Sequence, residues 1–137
     1  MSKKKGTRAE RELFHLLWNA KWSVVRSAGS GSSRQPSPDL ITSDGKRVLA
    51  IECKALKSRV KYFNKEEIAQ LAEFSIGFGA EPWIGIRFDQ EGWYFMHIND
   101  IPLSRGSTYC LSFDFVQKKG LKFEELIGKF KQKRLSP

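Results

Sequence analysis

The sequence predicts an α/β (α+β) fold: a central mixed β-sheet flanked by helices. Three observations carry that expectation. Helical and strand-type apolar patterns follow one another in the order helix, three strands, helix, strands, helix. Local punctuation marks the boundaries, with S/T/N-x-x-E signals at Thr7 and Asn64 and an Asp44-Gly45 turn. And 137 residues, 40% of them hydrophobic, with no internal repeat and no linker long enough to separate a pair of cores, make one domain over 1–137.

The elements follow in order. Residues 1–6 read as a flexible basic arm. From Thr7 to Ala20, the residues Ala9, Leu13, Leu16, Leu17 and Ala20 keep helical spacing, and the Thr7/Glu10 pair reads as a capping box at the helix start. Ser23–Ser27 is a short β-branched strand, and 28–38, rich in Gly, Ser and Pro, is a flexible loop. Asp39–Ser43 and Lys46–Lys54 form a hairpin about the two-residue Asp44-Gly45 turn. Asn64 caps a second helix, with Glu67 three residues on, that ends at Phe78 before Gly79; Ile68, Leu71, Ala72, Ser75 and Phe78 form its inward stripe. Phe74 lies off that stripe and is placed to meet a second subunit. Trp83–Phe88 and Trp93–Ile98 are strands, 99–108 a loop and Tyr109–Phe115 a last strand. A short C-terminal helix carries Phe123, Leu126, Ile127 and Phe130 on one face.

Charge narrows the partner class. Lys and Arg number 24 against 15 Asp and Glu, a formal net charge of +9, which favours a polyanion and above all nucleic acid. The cations are dispersed, and no base-reading helix or base-stacking aromatic pair stands out, which suits recognition of backbone and shape. A solvated basic face is the bland alternative. The apolar runs fall short of the ~20 residues of a membrane helix, and the basic start lacks the apolar stretch of a secretory signal, so no membrane is expected and a cytoplasmic place is. Cys53 and Cys110 form no metal-type spacing, Cys53 reads as packing, and His15 and His97 have no partners at zinc spacing.

The stretch that carries chemistry is Pro38-Asp39, the hairpin, then Glu52-Cys53-Lys54. With a two-residue turn, Asp39 lies opposite Ala50. Strand alternation puts Ala50, Glu52 and Lys54 on one face and Leu49, Ile51 and Cys53 on the other. Glu52 is then the diagonal neighbour of Asp39, at roughly 7–8 Å between backbone positions, so both carboxylates can reach one ion. A three-residue loop would reverse that relationship. Two converging carboxylates make a hard oxygen site of the kind Mg²⁺ accepts, with Mn²⁺ as a substitute, and Lys54 on the same face can stabilise charge on a phosphate. The alternative is a solvated cross-strand charge pair. On the first helix, Glu10 falls about 60° from Leu13, inside the apolar arc, whereas Glu12 falls about 100° away on the solvent side. Glu10 is therefore a third candidate carboxylate, and equally the N3 partner of a Thr7 cap.

These residues resemble a known family. Pro38-Asp39 with Glu52-Cys53-Lys54 looks like the PD-(D/E)xK signature of the restriction-endonuclease-like nucleases. Lys5-Gly6-Thr7-Arg8-Ala9-Glu10-Arg11-Glu12-Leu13 and Val24-Val25-Arg26-Ser27-Ala28-Gly29-Ser30 are similar to the opening of the archaeal Holliday-junction resolvases. The likeness spans roughly residues 5 to 98. It implies a restriction-endonuclease-like fold and a metal-dependent, structure-selective endonuclease that resolves four-way DNA junctions in recombination and repair by paired nicks. It implies Glu10, Asp39 and Glu52 as metal carboxylates, Lys54 as catalytic lysine and Ser30 close to the active site. Arg11 and Arg26 match arginines that handle DNA, Arg87 stands at a basic position, and Phe74 and Phe78 match aromatic positions; Arg34 and Lys57 join the expected DNA contacts. The junction's two-fold symmetry further implies a homodimer, associated with the nucleoid. One departure is the long segment from Ser30 to Pro38. The alternatives are a restriction- or repair-type endonuclease on duplex DNA, which would keep the same residues, and a catalytically silent nucleic-acid-binding module.

Overall fold

The computed structural model describes residues 3–27 and 37–128. Its centre is a five-stranded mixed sheet in the order β1-β2-β3-β5-β6, formed by β1 (Ser23–Arg26), β2 (Leu40–Ser43), β3 (Val48–Leu56), β5 (Glu81–Phe88) and β6 (Gly92–His97). Within this sheet only β3 and β5 pair in parallel; the others are antiparallel neighbours. The parallel pair needs a crossover, and β4 (Val60–Asn64) with helix α2 (Lys65–Phe78) supplies it.

Strand alternation divides the core in two. Ala50, Ile84, Ile86 and Phe88 pack under α2 with Ile68 and Leu71. Leu49, Ile51, Cys53, Trp83 and Phe95 pack under helix α1 (Lys3–Asn19) with Ala9, Leu13 and Leu17. This is the face assignment that the β3 sequence predicts. The α2 signals also act as expected: Asn64 and Glu67 form a reciprocal capping box, and Gly79 ends the helix at φ 80°.

Several local expectations are corrected. Helix α1 already includes Lys3–Gly6, so these residues are not a flexible arm and Thr7 is not its cap. Lysine is a good helix former, and the helix runs on through the local capping signal. The hairpin loop has four residues, not two, because Asp44 Oδ1 accepts hydrogen bonds from both the Lys46 and Arg47 amides at 2.9 Å. Residues 108–115 split: β7 (Thr108–Ser112) pairs with β4 in a second, two-stranded sheet, and Ser112 Oγ then caps helix α3 (Phe113–Lys119) by accepting from Phe115 N at 3.1 Å. Phe78 is 55% exposed rather than core, since it ends α2 beyond the sheet; it stacks on Phe74 with ring centroids 5.5 Å apart. The final helix α4 (Phe123–Leu126) buries Leu126; Phe130 and most of the expected 28–38 loop lie outside the described residues.

Candidate active site

The longer hairpin loop decides the site. Its two extra residues are an even number, so each side chain keeps its face while the register moves by two. Leu40 pairs with Ile51, and Asp39, one residue earlier, comes to the position opposite Glu52. The two carboxylates thus stand as direct cross-strand neighbours rather than diagonal ones. Asp39 Oδ2 accepts the Cys53 backbone N–H at 2.7 Å, which fixes the aspartate against β3. The Glu52 carboxyl is also in side-chain hydrogen-bond reach of Asp39. Lys54 Nζ lies 3.5 Å from Glu52 Oε2.

Glu10 joins from α1. Its carboxylate feels the negative charge of Asp39 and lies 3.7 Å from Arg26 Nε at the end of β1. Of the two readings of Glu10, the capping one falls, because Thr7 sits inside the helix. All three carboxyls bind protons more tightly than ordinary acids. Burial is the first cause for each. For Glu52, pushed up to about 7, the charge of Asp39 comes next, and for Glu10 likewise. Asp39 is raised despite the Cys53 amide, Lys54, Glu52 and Arg26, which all pull it down. Burial and the same carboxylates push the Cys53 thiol well up, so it stays a neutral packing group.

Among the described residues no group of three or more His, Cys, Asp or Glu is assembled as a finished metal cage. The donor set nonetheless fits a hard divalent cation. It consists of carboxylate groups crowded closely enough that the charge of Asp39 raises both Glu10 and Glu52, and a cation is what would relieve that repulsion.

The remaining expected residues fall in different places. Arg26 is half-buried beside Glu10, and Arg11 is exposed on α1. Lys57 is exposed in the turn that follows β3. Arg87 does not enter the carboxylate cluster. It stands opposite Ala55 on the α1 face of the sheet, where Glu12 binds it. Ser30 and Arg34 lie outside the described residues, although the flanks of that segment meet: Ser27 N donates to Asp39 O at 2.9 Å, and the Ser27 and Ser37 hydroxyls are 2.9 Å apart.

Glu12 is exposed, as its place on the helix predicts, but sequence reasoning missed its partners. Its Oε1 accepts from Arg87 Nε at 2.7 Å and from Trp93 Nε1 at 2.6 Å. The usable signal was the β5–β6 hairpin, which sets Arg87 opposite Trp93 and so puts two donors on one face in need of an acceptor.

Comparison with known proteins bears on the family and the fold. The family model described as "Archaeal holliday junction resolvase (hjc)" matches residues 1–135. A crossover junction endodeoxyribonuclease Hjc from Archaeoglobus fulgidus is 38% identical, over 96% of this chain and 96% of that protein. Its counterpart from Methanocaldococcus jannaschii is 36% identical, over 96% and 93%. The crystal structure of A. fulgidus Hjc, a Holliday junction resolvase, superposes with a TM-score of 0.83 at 33% identity, covering 90% of this chain and all of that one. A bacterial homing endonuclease shares the fold alone, with a TM-score of 0.50 at 19% identity over 81% of this chain and 75% of that one. The architecture is thus the restriction-endonuclease-like fold expected from the sequence.

Proposed function

Because this chain belongs to the archaeal Holliday junction resolvase family, we propose that it is an endodeoxyribonuclease that resolves four-way DNA junctions by paired nicks in opposing strands. The observation that supports this reading most is the meeting of Asp39, Glu52 and Glu10 beside Lys54, where β2 begins and β3 nears its end. Chain 1–137 acts as one nuclease domain, in the cytoplasm with the nucleoid. No helix among the described residues is long and apolar enough to cross a membrane.

Asp39 and Glu52, with Glu10 near, are the residues that would hold Mg²⁺ or Mn²⁺. When bound, such an ion polarises a phosphate oxygen and lowers the pKa of water. Asp39 is held in place by the Cys53 amide, so its carboxylate is aimed rather than mobile. Lys54 keeps its ammonium next to Glu52 and stabilises negative charge that grows on the phosphate during attack. Arg26 offsets part of the carboxylate charge and holds Glu10 in reach. The products are a 5′-phosphate and a 3′-hydroxyl. Arg11, Arg26, Arg34, Lys57 and Arg87 contact the DNA backbone, with Ser30 close to the cleavage site.

Two cuts placed symmetrically call for two active sites related by a two-fold axis. The exposed apolar end of α2, where Phe78 stacks on Phe74 and Ile76 is 82% exposed, supports a homodimer formed by a second copy of this chain. Incubation of the protein and its Asp39→Asn variant with labelled four-way junction, matched linear duplex and Mg²⁺ tests the reading. Paired nicks in the junction alone, absent with the variant, are expected. Equal cutting of linear duplex would point to a duplex nuclease, and junction binding without cutting to a silent binding module.

A further inference from the structure

Helix α1 carries a second carboxylate with a different role. Glu12 Oε1 takes two donors at once, Arg87 Nε from β5 and Trp93 Nε1 from β6, and so ties three elements together at one oxygen. The Trp93 indole is buried and needs an acceptor for its N–H; Glu12 supplies it. Arg87 differs from Trp93, because its side chain remains one-third exposed at 33%. The bond to Glu12 occupies Nε, which leaves the outer Nη1/Nη2 edge of the fork as the part that Glu12 does not take. That edge has the geometry that matches a phosphate.

Its location makes this useful. β3 and β5 run parallel, with Lys54 beside Ile86 and Ala55 beside Arg87. Arg87 therefore stands at the same end of the sheet as Lys54, one strand across and on the opposite face. An unpaired carboxylate at such a place would repel DNA; here Arg87 neutralises it, Trp93 satisfies the same oxygen, and it orders a cation.

We propose that Glu12 is a positioning residue that holds Arg87 to receive a backbone phosphate of DNA at the C-terminal end of β3 and β5. The inference rests on the junction-resolvase reading but concerns binding, not cleavage. Anisotropy titration of labelled four-way junction in EDTA, over a series of salt concentrations, keeps the two apart. Glu12→Asp retains the charge but draws the oxygen back by one methylene, and Glu12→Gln loses the charge but keeps the reach. Positioning predicts that Glu12→Asp binds about fivefold more weakly than the parent, with the slope of log K against log salt shallower by about one. Glu12→Gln binds more tightly than Glu12→Asp, and adding Glu12→Asp to Arg87→Ala produces no further loss. A merely structural tie moves thermal stability and leaves the salt slope unchanged. Parental affinity and slope in Glu12→Asp, or full additivity with Arg87→Ala, would overturn the inference while leaving the junction reading standing. Failure of the parent itself to bind junction would overturn both.

Discussion

The two ends of the parallel β3–β5 pair handle charge in opposite ways. At the N-terminal end, Arg47 takes both oxygens of Glu81, each at 2.9 Å, and donates a third bond to Leu126 O at 2.6 Å. Trp83 Nε1 adds a bond to Glu81 at 3.2 Å. Complementary charge there holds the Glu81 carboxyl below its usual range and pushes the Arg47 guanidinium above its own, in each case chiefly through their mutual hydrogen bonds. Towards the C-terminal end, three carboxyls crowd together and all are pushed up, burial being the main cause. The same strand pair thus has one end where charges are matched and one where they are frustrated. Matched charge is a structural clamp that secures α4 to the sheet. Frustrated charge costs stability and lies at the end where the proposed function puts the chemistry.

The comparison breaks most visibly in activity. Asp39→Asn keeps the acceptor for the Cys53 amide but removes the charge, and is expected to slow junction cleavage by at least ~10³-fold in single-turnover assays. Glu81→Gln at the matched end leaves the cleavage rate within about twofold of the parent. The next largest effect reverses the ends. Arg47→Ala removes three hydrogen bonds, two of them to a carboxylate, and is expected to cost about 2 kcal/mol in urea denaturation. A loss below about 0.5 kcal/mol, the range of ordinary surface changes, would mean that the clamp is ornamental.

Smaller effects test the sign of the frustration. Glu52 has its folded pKa raised from 4.5 to about 7, so the fold retains a proton that the unfolded chain has released. Its favourable share of stability is full below pH 4.5 and is lost as pH rises through 7. In metal-free buffer at pH 8, Glu52→Gln is therefore expected to be more stable than the parent by about 1 kcal/mol, and the gain should vanish by about pH 4. Glu81 runs the other way. Its pKa is lowered, so its stabilisation is present above the ordinary carboxylate range and is lost as pH falls. Glu81→Gln should flatten the acid limb of the stability profile by less than about 1 kcal/mol, the modest scale of a partly exposed pair.

What the sequence made legible follows from how local each signal is. Asn64, Glu67 and Gly79 settle both ends of α2 through contacts within a few residues, so they read directly. The Asp39–Glu52 pairing survived an error in loop length because the error was even and face parity depends on nothing else. The Thr7 cap failed because the lysines before it are good helix formers, and the helix runs through that local signal. Strand β4 went unseen because its partner β7 lies far along the chain, and Tyr62 facing Cys110 leaves no mark in either segment alone. Glu12 escaped for a related reason: a helical wheel shows where a side chain starts, not that Arg87 and Trp93 wait at the edge of the sheet. Family motifs grouped Glu10, Asp39, Glu52 and Lys54 before geometry did, while the Arg47–Glu81 clamp belongs to no motif and emerged only from the register of β3 and β5.

The most direct test of the charge account is thermal unfolding at pH 8 with and without Mg²⁺, for the parent and for Glu52→Gln. Without the ion the variant should melt higher. A cation that binds only the folded state stabilises in proportion to the logarithm of its concentration, so Mg²⁺ should raise the parent's Tm by several degrees. It should leave the variant almost unmoved. Equal Mg²⁺ shifts in both proteins, or a variant that melts lower than the parent in metal-free buffer, would contradict the view that the crowded carboxylates of Asp39 and Glu52 are a cation site kept at the expense of stability.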